Sequence, residues 1–98
     1  MTTEIIKSDD NIVIACSGRI DSATADQLDS AIKEALAESP EELSLDMKDT
    51  DFISSKGIRV LVSAYKARGG KPIRILNAGS AVREIIRMAG LSAIFPMD

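Results

Sequence analysis

Leu43-Ser-Leu-Asp-Met-Lys-Asp-Thr-Asp-Phe-Ile-Ser-Ser-Lys-Gly-Ile-Arg-Val-Leu61 decides the fold. Leu43, Leu45 and Met47 alternate with other residues, the period of a β-strand. Asp49 and Asp51 then read as an acidic loop. Ser54 and Ser55 open an amphipathic helix whose inner face is Ile58, Leu61, Val62 and Tyr65. A helix start offers unpaired backbone N–H groups and the positive end of the helix dipole. A phosphate on a serine there is well tolerated, yet it adds about −1.5 to −2 charges to the surface. Strand, loop and switchable helix start together suit a protein–protein contact better than a catalyst.

Working outward, Glu4 to Lys7 is a strand, and Ser8 to Asn11 is a turn cluster closing a hairpin. Ile12, Ile14 and Cys16, with Val13 and Ala15 between them, read as a strand buried on both faces and ending near Gly18. Asp21 or Ser22 caps a first helix with the stripe Ala25, Leu28, Ile32, Ala35 and Leu36. Its outer face sets Asp29 and Lys33 at i,i+4 spacing. Ser39-Pro40 ends it. Gly69-Gly70 stops the second helix, since glycine accepts the left-handed cap conformation. Pro72 opens a strand over 73–76. Ser80 caps a third helix with Val82, Ile85, Ile86 and Ala89 inside, ended by Gly90. Ile94-Phe95 reads as a short last edge strand. The expectation is one α/β domain over residues 1–98, in the order β-β-α-β-α-β-α-β. Strand–helix–strand repeats imply right-handed crossovers and a mixed, mostly parallel sheet packed against helices.

Composition narrows the function. At 98 residues and 45% apolar content the chain buries one core. The net charge of −3, with no basic run, argues against nucleic acid as a partner. The lone Cys16 forms no internal disulfide, which fits a reducing cytoplasm. No signal-peptide pattern or spanning apolar run is present, so no membrane partner is expected and the chain reads as a cytoplasmic monomer. The chain has no histidine, and hence no imidazole base or His metal ligand. No phosphate-binding glycine loop of Walker or dinucleotide type occurs. No cofactor and no metal are expected, and the chain does not read as an enzyme.

Each candidate residue has a structural and a functional reading. One serine of the Ser54-Ser55 pair explains an N-cap; the second is left over. Asp46, Asp49 and Asp51 have the composition of a Mg²⁺ site, with Asp46 at the carboxyl end of a strand, but a solvated turn with capping explains them more simply. Gly57 in the first helical turn costs about 1 kcal/mol against alanine. It is either a loose start or a bare backbone that lets a partner approach. Lys56 and Arg59 are ordinary surface charges, or else the flanks of a phosphate. Cys16 is an inert core thiol.

Two segments carry a family resemblance. Asp51-Phe-Ile-Ser-Ser-Lys-Gly-Ile-Arg-Val-Leu61 resembles the signature of STAS domains, in particular the small bacterial anti-sigma factor antagonists. Ser17-Gly-Arg-Ile-Asp21, followed by Ala23 and Ala25, resembles the family's second signature, Gly-x-x-Asp before the first helix. The element order matches over essentially the whole chain.

The resemblance implies a STAS-like fold and a partner-switching role in transcription regulation. An unphosphorylated antagonist binds an anti-sigma factor that is also a serine kinase, and frees sigma. Phosphorylation breaks the complex, and a serine phosphatase restores it; ATP belongs to the kinase. The family's common form is Asp-Ser-Ser-Gly-Leu, with the first serine modified. Aligning on Gly57 and Ile58 puts Ser54 at the aspartate, Ser55 at the phosphoserine and Lys56 at the second serine. Ser55 is then the phosphorylation site, with Ser54 its rival. The partner-binding surface comprises Arg19, Asp21, Asp49, Asp51, Ser54, Lys56, Gly57 and Arg59. Two other readings stand beside this one: a non-phosphorylated STAS adaptor in a lipid-transport or signalling complex, and a small phosphatase or nucleotide-binding enzyme using the aspartates and Mg²⁺.

Overall fold

Over residues 1–97, which the computed structural model describes, the elements follow in order. They are β1 (Thr2–Ser8), β2 (Asn11–Ile20), α1 (Ala25–Leu36), β3 (Glu42–Ile53), α2 (Ser55–Ala67), β4 (Arg74–Leu76) and α3 (Ser80–Met88). The sheet is ordered β1-β2-β3-β4. β1 is antiparallel to β2, while β2, β3 and β4 run parallel. Asp9, at φ +54°, takes the left-handed turn that joins β1 to β2, a conformation aspartate tolerates better than most residues.

Both crossovers step the same way across the sheet, from β2 to β3 and from β3 to β4. Connections of one hand then lay their helices on one side. This corrects the expectation that β2 is buried on both faces. Ile12, Ile14, Cys16 and Ile20 point into the core, whereas Val13 and Ala15 face the open side and are half-buried. The monotonic order also contains no reversal, and so no topological switch point of the kind that forms ligand crevices in open α/β sheets.

Leu43, Leu45, Met47 and Ile53 of β3 complete the inner face of the two central strands. The expected acidic loop is absent: β3 runs through Lys48 to Asp51 and ends at Ile53. Two register shifts against β2 allow this, one between Ala15 and Ser17 and one between Gly18 and Arg19. Extra residues at such bulges turn outward and carry charge without entering the core. Asp46 is therefore mid-strand, not at a strand end. Its carboxylate accepts the Lys48 N–H at 3.0 Å and the Asn77 amide at 3.2 Å. Buried Thr50 donates its hydroxyl to the Cys16 carbonyl at 2.9 Å, satisfying a group the bulge would otherwise orphan.

α1 buries Ala25, Leu28, Ala31, Ile32 and Ala35, and Lys33 lies 3.0 Å from Asp29 on its outer face. α2 buries Gly57, Leu61 and Ala64, so its inward line is rotated from the expected one. Leu61 keeps its place, while Ile58, Val62 and Tyr65 flank the line half-buried. Gly69 and Gly70, at φ +69° and +85°, turn the chain out of α2 as expected. α3 buries Val82 and Ile86, leaves Ile85 half-buried and exposes Ala89. Gly79, not Ser80, occupies its N-cap position, and no side chain caps it.

The expected strand at Ile94-Phe95 is a turn. The Leu91 carbonyl accepts the N–H groups of Ile94 and Phe95 at 3.1 and 3.0 Å, which curls the backbone. That curl sends Phe95 fully into the core, edge-on to Tyr65 at 6.2 Å between ring centroids. Among the described residues, the chain rejoins the sheet through an isolated bridge between Met97 and Ile75.

Candidate functional site

The site forms where β2 and β3 end and α1 and α2 begin. Ser54 holds extended backbone, φ −84° and ψ 171°, and its Oγ accepts the Gly57 N–H at 3.2 Å. Its own N–H donates to the Ile20 carbonyl at 2.7 Å, which pins the start of α2 to the end of β2. Ser54 is thus the N-cap, with both its hydroxyl and its N–H in use. Ser55 is the first residue of α2 and is exposed.

Gly57 was expected to admit a partner, but it is buried. A Cβ there would lie 2.8 Å from Ile20 Cγ2 and 2.8 Å from Ile53 Cγ1. The close approach that its bare backbone permits is internal. It lets the first turn of α2 lie directly on the ends of β2 and β3.

Lys56 turns sideways. Its Nζ lies 3.2 Å from an Asp26 carboxylate oxygen and donates to the Ser22 carbonyl at 3.3 Å. Both side chains are substantially exposed, so the pair contributes little stability. It does fix the spacing between the starts of α1 and α2. Arg59 is exposed one turn after Ser55, on the same helical face.

Asp21 closes the turn before α1, whose N-cap position is held by Thr24, with no side-chain cap bond, and not by Asp21 or Ser22 as expected. Its carboxylate accepts the Ala23 and Thr24 N–H groups at 3.0 and 2.9 Å, and its own N–H donates to Thr24 Oγ1 at 2.9 Å. The Thr24 hydroxyl donates to the Arg19 carbonyl at 2.7 Å. The Thr24 N–H first, then the Thr24 hydroxyl and the Ala23 N–H, hold the Asp21 carboxyl below the usual aspartate range. The Arg19 guanidinium carbon stacks 4.4 Å from the centre of the Phe52 ring, its register partner on β3. Asp49 and Asp51 are exposed on the same end of β3.

The start of α2 thus lies against the end of β2 and the start of α1, through Ser54, Lys56, Ile20, Ser22 and Asp26. Arg19 stacks on Phe52, and Asp49, Asp51 and Ser55 are exposed on β3 and at the first position of α2. Gly57 is buried in the first turn of α2, and Arg59 stands one turn after Ser55. Asp26 and Ser22, which hold Lys56, and Phe52, which carries Arg19, were missed in the sequence. The link from Asp26 to Lys56 spans two helices and leaves no local signal; Phe52 could have been noticed as one of only two phenylalanines. Among the described residues, no group of three or more acidic or cysteine side chains is placed to hold a metal ion. Among the same described residues, no helix is long and apolar enough to cross a membrane.

Such an arrangement defines a small α/β domain with a capped helix start beside charged side chains. The chain belongs to the STAS domain family, whose model matches residues 2–98. An anti-sigma-F factor antagonist of Mycobacterium tuberculosis, RsfB, is 32% identical over 85 residues, 85% of this chain and 69% of that protein. The crystal structure of an anti-sigma factor antagonist from Mycobacterium paratuberculosis superposes with a TM-score of 0.89 at 33% identity, covering 98% of this chain and 83% of that one. The anti-sigma factor antagonist SpoIIAA in its unphosphorylated form shares the fold, with a TM-score of 0.83 at 16% identity over 99% of this chain and 88% of that one.

Proposed function

We propose that this protein is an anti-sigma factor antagonist that works by binding and is switched by phosphorylation of Ser55. Unphosphorylated, it docks on an anti-sigma factor kinase through the rim formed by Arg19, Asp21, Asp49, Asp51, Lys56 and Arg59, and so frees sigma. A phosphate on Ser55 ends the contact, and a serine phosphatase restores it. One observation carries the choice of residue: the Ser54 hydroxyl is engaged as the N-cap, while Ser55 is exposed at the first helical position. A phosphate on Ser55 would sit at the positive end of α2, which favours an anion. The names of the relatives supply the partner class. The cytoplasm is where such a partner would be met.

The test is recovery of bound proteins from the native host with phosphosite mapping. Capture of an anti-sigma factor kinase, with the phosphate on Ser55, is the expected result. Capture of a membrane transport complex and no phosphate would replace this reading with the adaptor one.

A further inference from the structure

Among the described residues, β1 pairs with β2 and with no other strand. Ser8 and Asn11 face each other across the two-residue turn of the hairpin. Antiparallel strands alternate their bonding, so Thr2, Glu4, Ile6 and Ser8 bond to β2. The N–H and C=O groups of Thr3, Ile5 and Lys7 then point outward. Seven residues make a long open edge, and such edges are usually guarded by a lysine. Here Lys7 is drawn back onto Glu38. Beside the edge runs a groove of about 520 Å³, lined by Thr3 and Ile5 of β1 and by Gln27, Ser30, Ala31 and Glu34 of α1.

We propose that this edge and groove receive a second copy of the same chain, with β1 pairing antiparallel to β1 about a two-fold axis at Ile5. Symmetry selects the register. A two-fold axis that keeps both core faces on one side must pass through a residue paired with itself. Ile5 is the middle of the three outward rungs, so that choice engages all of them, with Thr3 opposite the second copy's Lys7. The α1 stripe has the same centre. β1 and α1 both run opposite to β2, which sets Gln27 beside Thr3 and Glu34 toward Lys7. Small Ser30 and Ala31 then meet their own copies near the axis, and each Gln27 amide faces the second copy's Glu34 carboxylate. A foreign strand would have to bring this complement; a second copy already has it. The site around Ser55 takes no part, and the inference stands apart from the antagonist reading.

Sedimentation velocity over a range of concentrations tests it on the full chain. The weight-average mass should rise from 10.5 kDa toward twice that value. Ser30→Arg, at an exposed position on the axis, should weaken association at least tenfold with an unchanged unfolding midpoint. Ile5→Cys should form a covalent dimer on mild oxidation, while Ser8→Cys, far from the axis and bonded inward, should not. A monomer at every concentration, full association of Ser30→Arg, or equal cross-linking of the two cysteine variants would overturn the proposal.

Discussion

Ser54 accepts the Gly57 N–H at 3.2 Å, and this bond gives two adjacent serines different duties. One hydroxyl satisfies the helix start, and the next faces solvent. Ser54→Ala should therefore lower stability by about 1 kcal/mol, as the loss of an N-cap does. Phosphorylation by the partner kinase should persist in it. Ser55→Ala should change stability by less than about 0.5 kcal/mol, as exposed substitutions usually do, and should abolish phosphorylation. Urea titrations and intact-protein mass spectra read both. Phosphate retained on Ser55→Ala and absent from Ser54→Ala would reverse the assignment.

Gly57→Ala sets two effects against each other. Alanine gains about 1 kcal/mol of helix propensity over glycine. Its Cβ, however, would meet Ile20 Cγ2 and Ile53 Cγ1 at 2.8 Å each, and both are branch atoms of buried side chains. Overpacking of this kind costs about 1–3 kcal/mol. The clash should win, and chemical denaturation should show a destabilised protein. A more stable variant would mean that α2 shifts freely on the sheet.

The same glycine shows what the sequence hides. Reading α2 by its apolar side chains centres its inner face on Ile58, Leu61, Val62 and Tyr65. The helix centres instead on Gly57, Leu61 and Ala64, because small residues bring its axis closest to the sheet. Apolarity marks a face well when side chains fill space, and poorly when contact is made by backbone. The acidic run failed for a related reason. Asp49 and Asp51 look like a loop, yet bulges keep Lys48 to Asp51 in β3 while turning the charges outward. Element order through α3, the hairpin, the helix stops at Gly69 and Gly90 and a serine cap on α2 were legible, since each rests on local chemistry, whereas the last strand expected at Ile94-Phe95 was not. The Lys56 link to Asp26 and Ser22 depends on how two helices lie together, and no local rule reports that.

Asp21 should make stability depend on pH on the acid side. Its folded carboxyl titrates below the ordinary aspartate value, chiefly through the Thr24 N–H. Between the two values the unfolded chain binds the extra proton, so stability falls as pH falls through that range. It is fully present above the ordinary value. Asp21→Asn should flatten this part of the profile, measured as the unfolding midpoint from pH 6 down to the acid limit. An unchanged slope would remove Asp21 from the account.

Cys16 predicts the opposite limb. Burial, aided by Asp46, raises its thiol from 9.0 to about 12. The unfolded chain therefore loses this proton first on the alkaline side. The contribution is complete below pH 9 and declines as pH rises toward 12. Cys16→Val, similar in volume, should remove that decline. At neutral pH the native thiol should react with an aromatic disulfide only as fast as the domain opens. Rapid labelling without unfolding would show that Cys16 is reached from the native surface.

Phosphate on Ser55 can end binding by one of two routes. It could refold the site, or act by charge on a surface already formed. The start of α2 is over-determined: Ser54 caps Gly57, the Ser54 N–H holds the Ile20 carbonyl, and Gly57 is wedged against Ile20 and Ile53. The helix end also favours an added anion by about 0.3–1 kcal/mol at an exposed position. Nothing local drives a rearrangement. At a closed interface the same group meets desolvation and like-charge repulsion from any acidic group facing it, together worth several kcal/mol. A loss of about 4 kcal/mol weakens binding roughly a thousandfold. Phosphorylated protein and Ser55→Asp should therefore keep the native fold and bind the anti-sigma factor far more weakly. Calorimetry gives the affinity, and backbone NMR shifts give the extent of change. Shifts confined to α2's first turn and the ends of β2 and β3 fit the charge mechanism. Shifts reaching Val82 to Ile86 in α3 would replace it with a conformational switch.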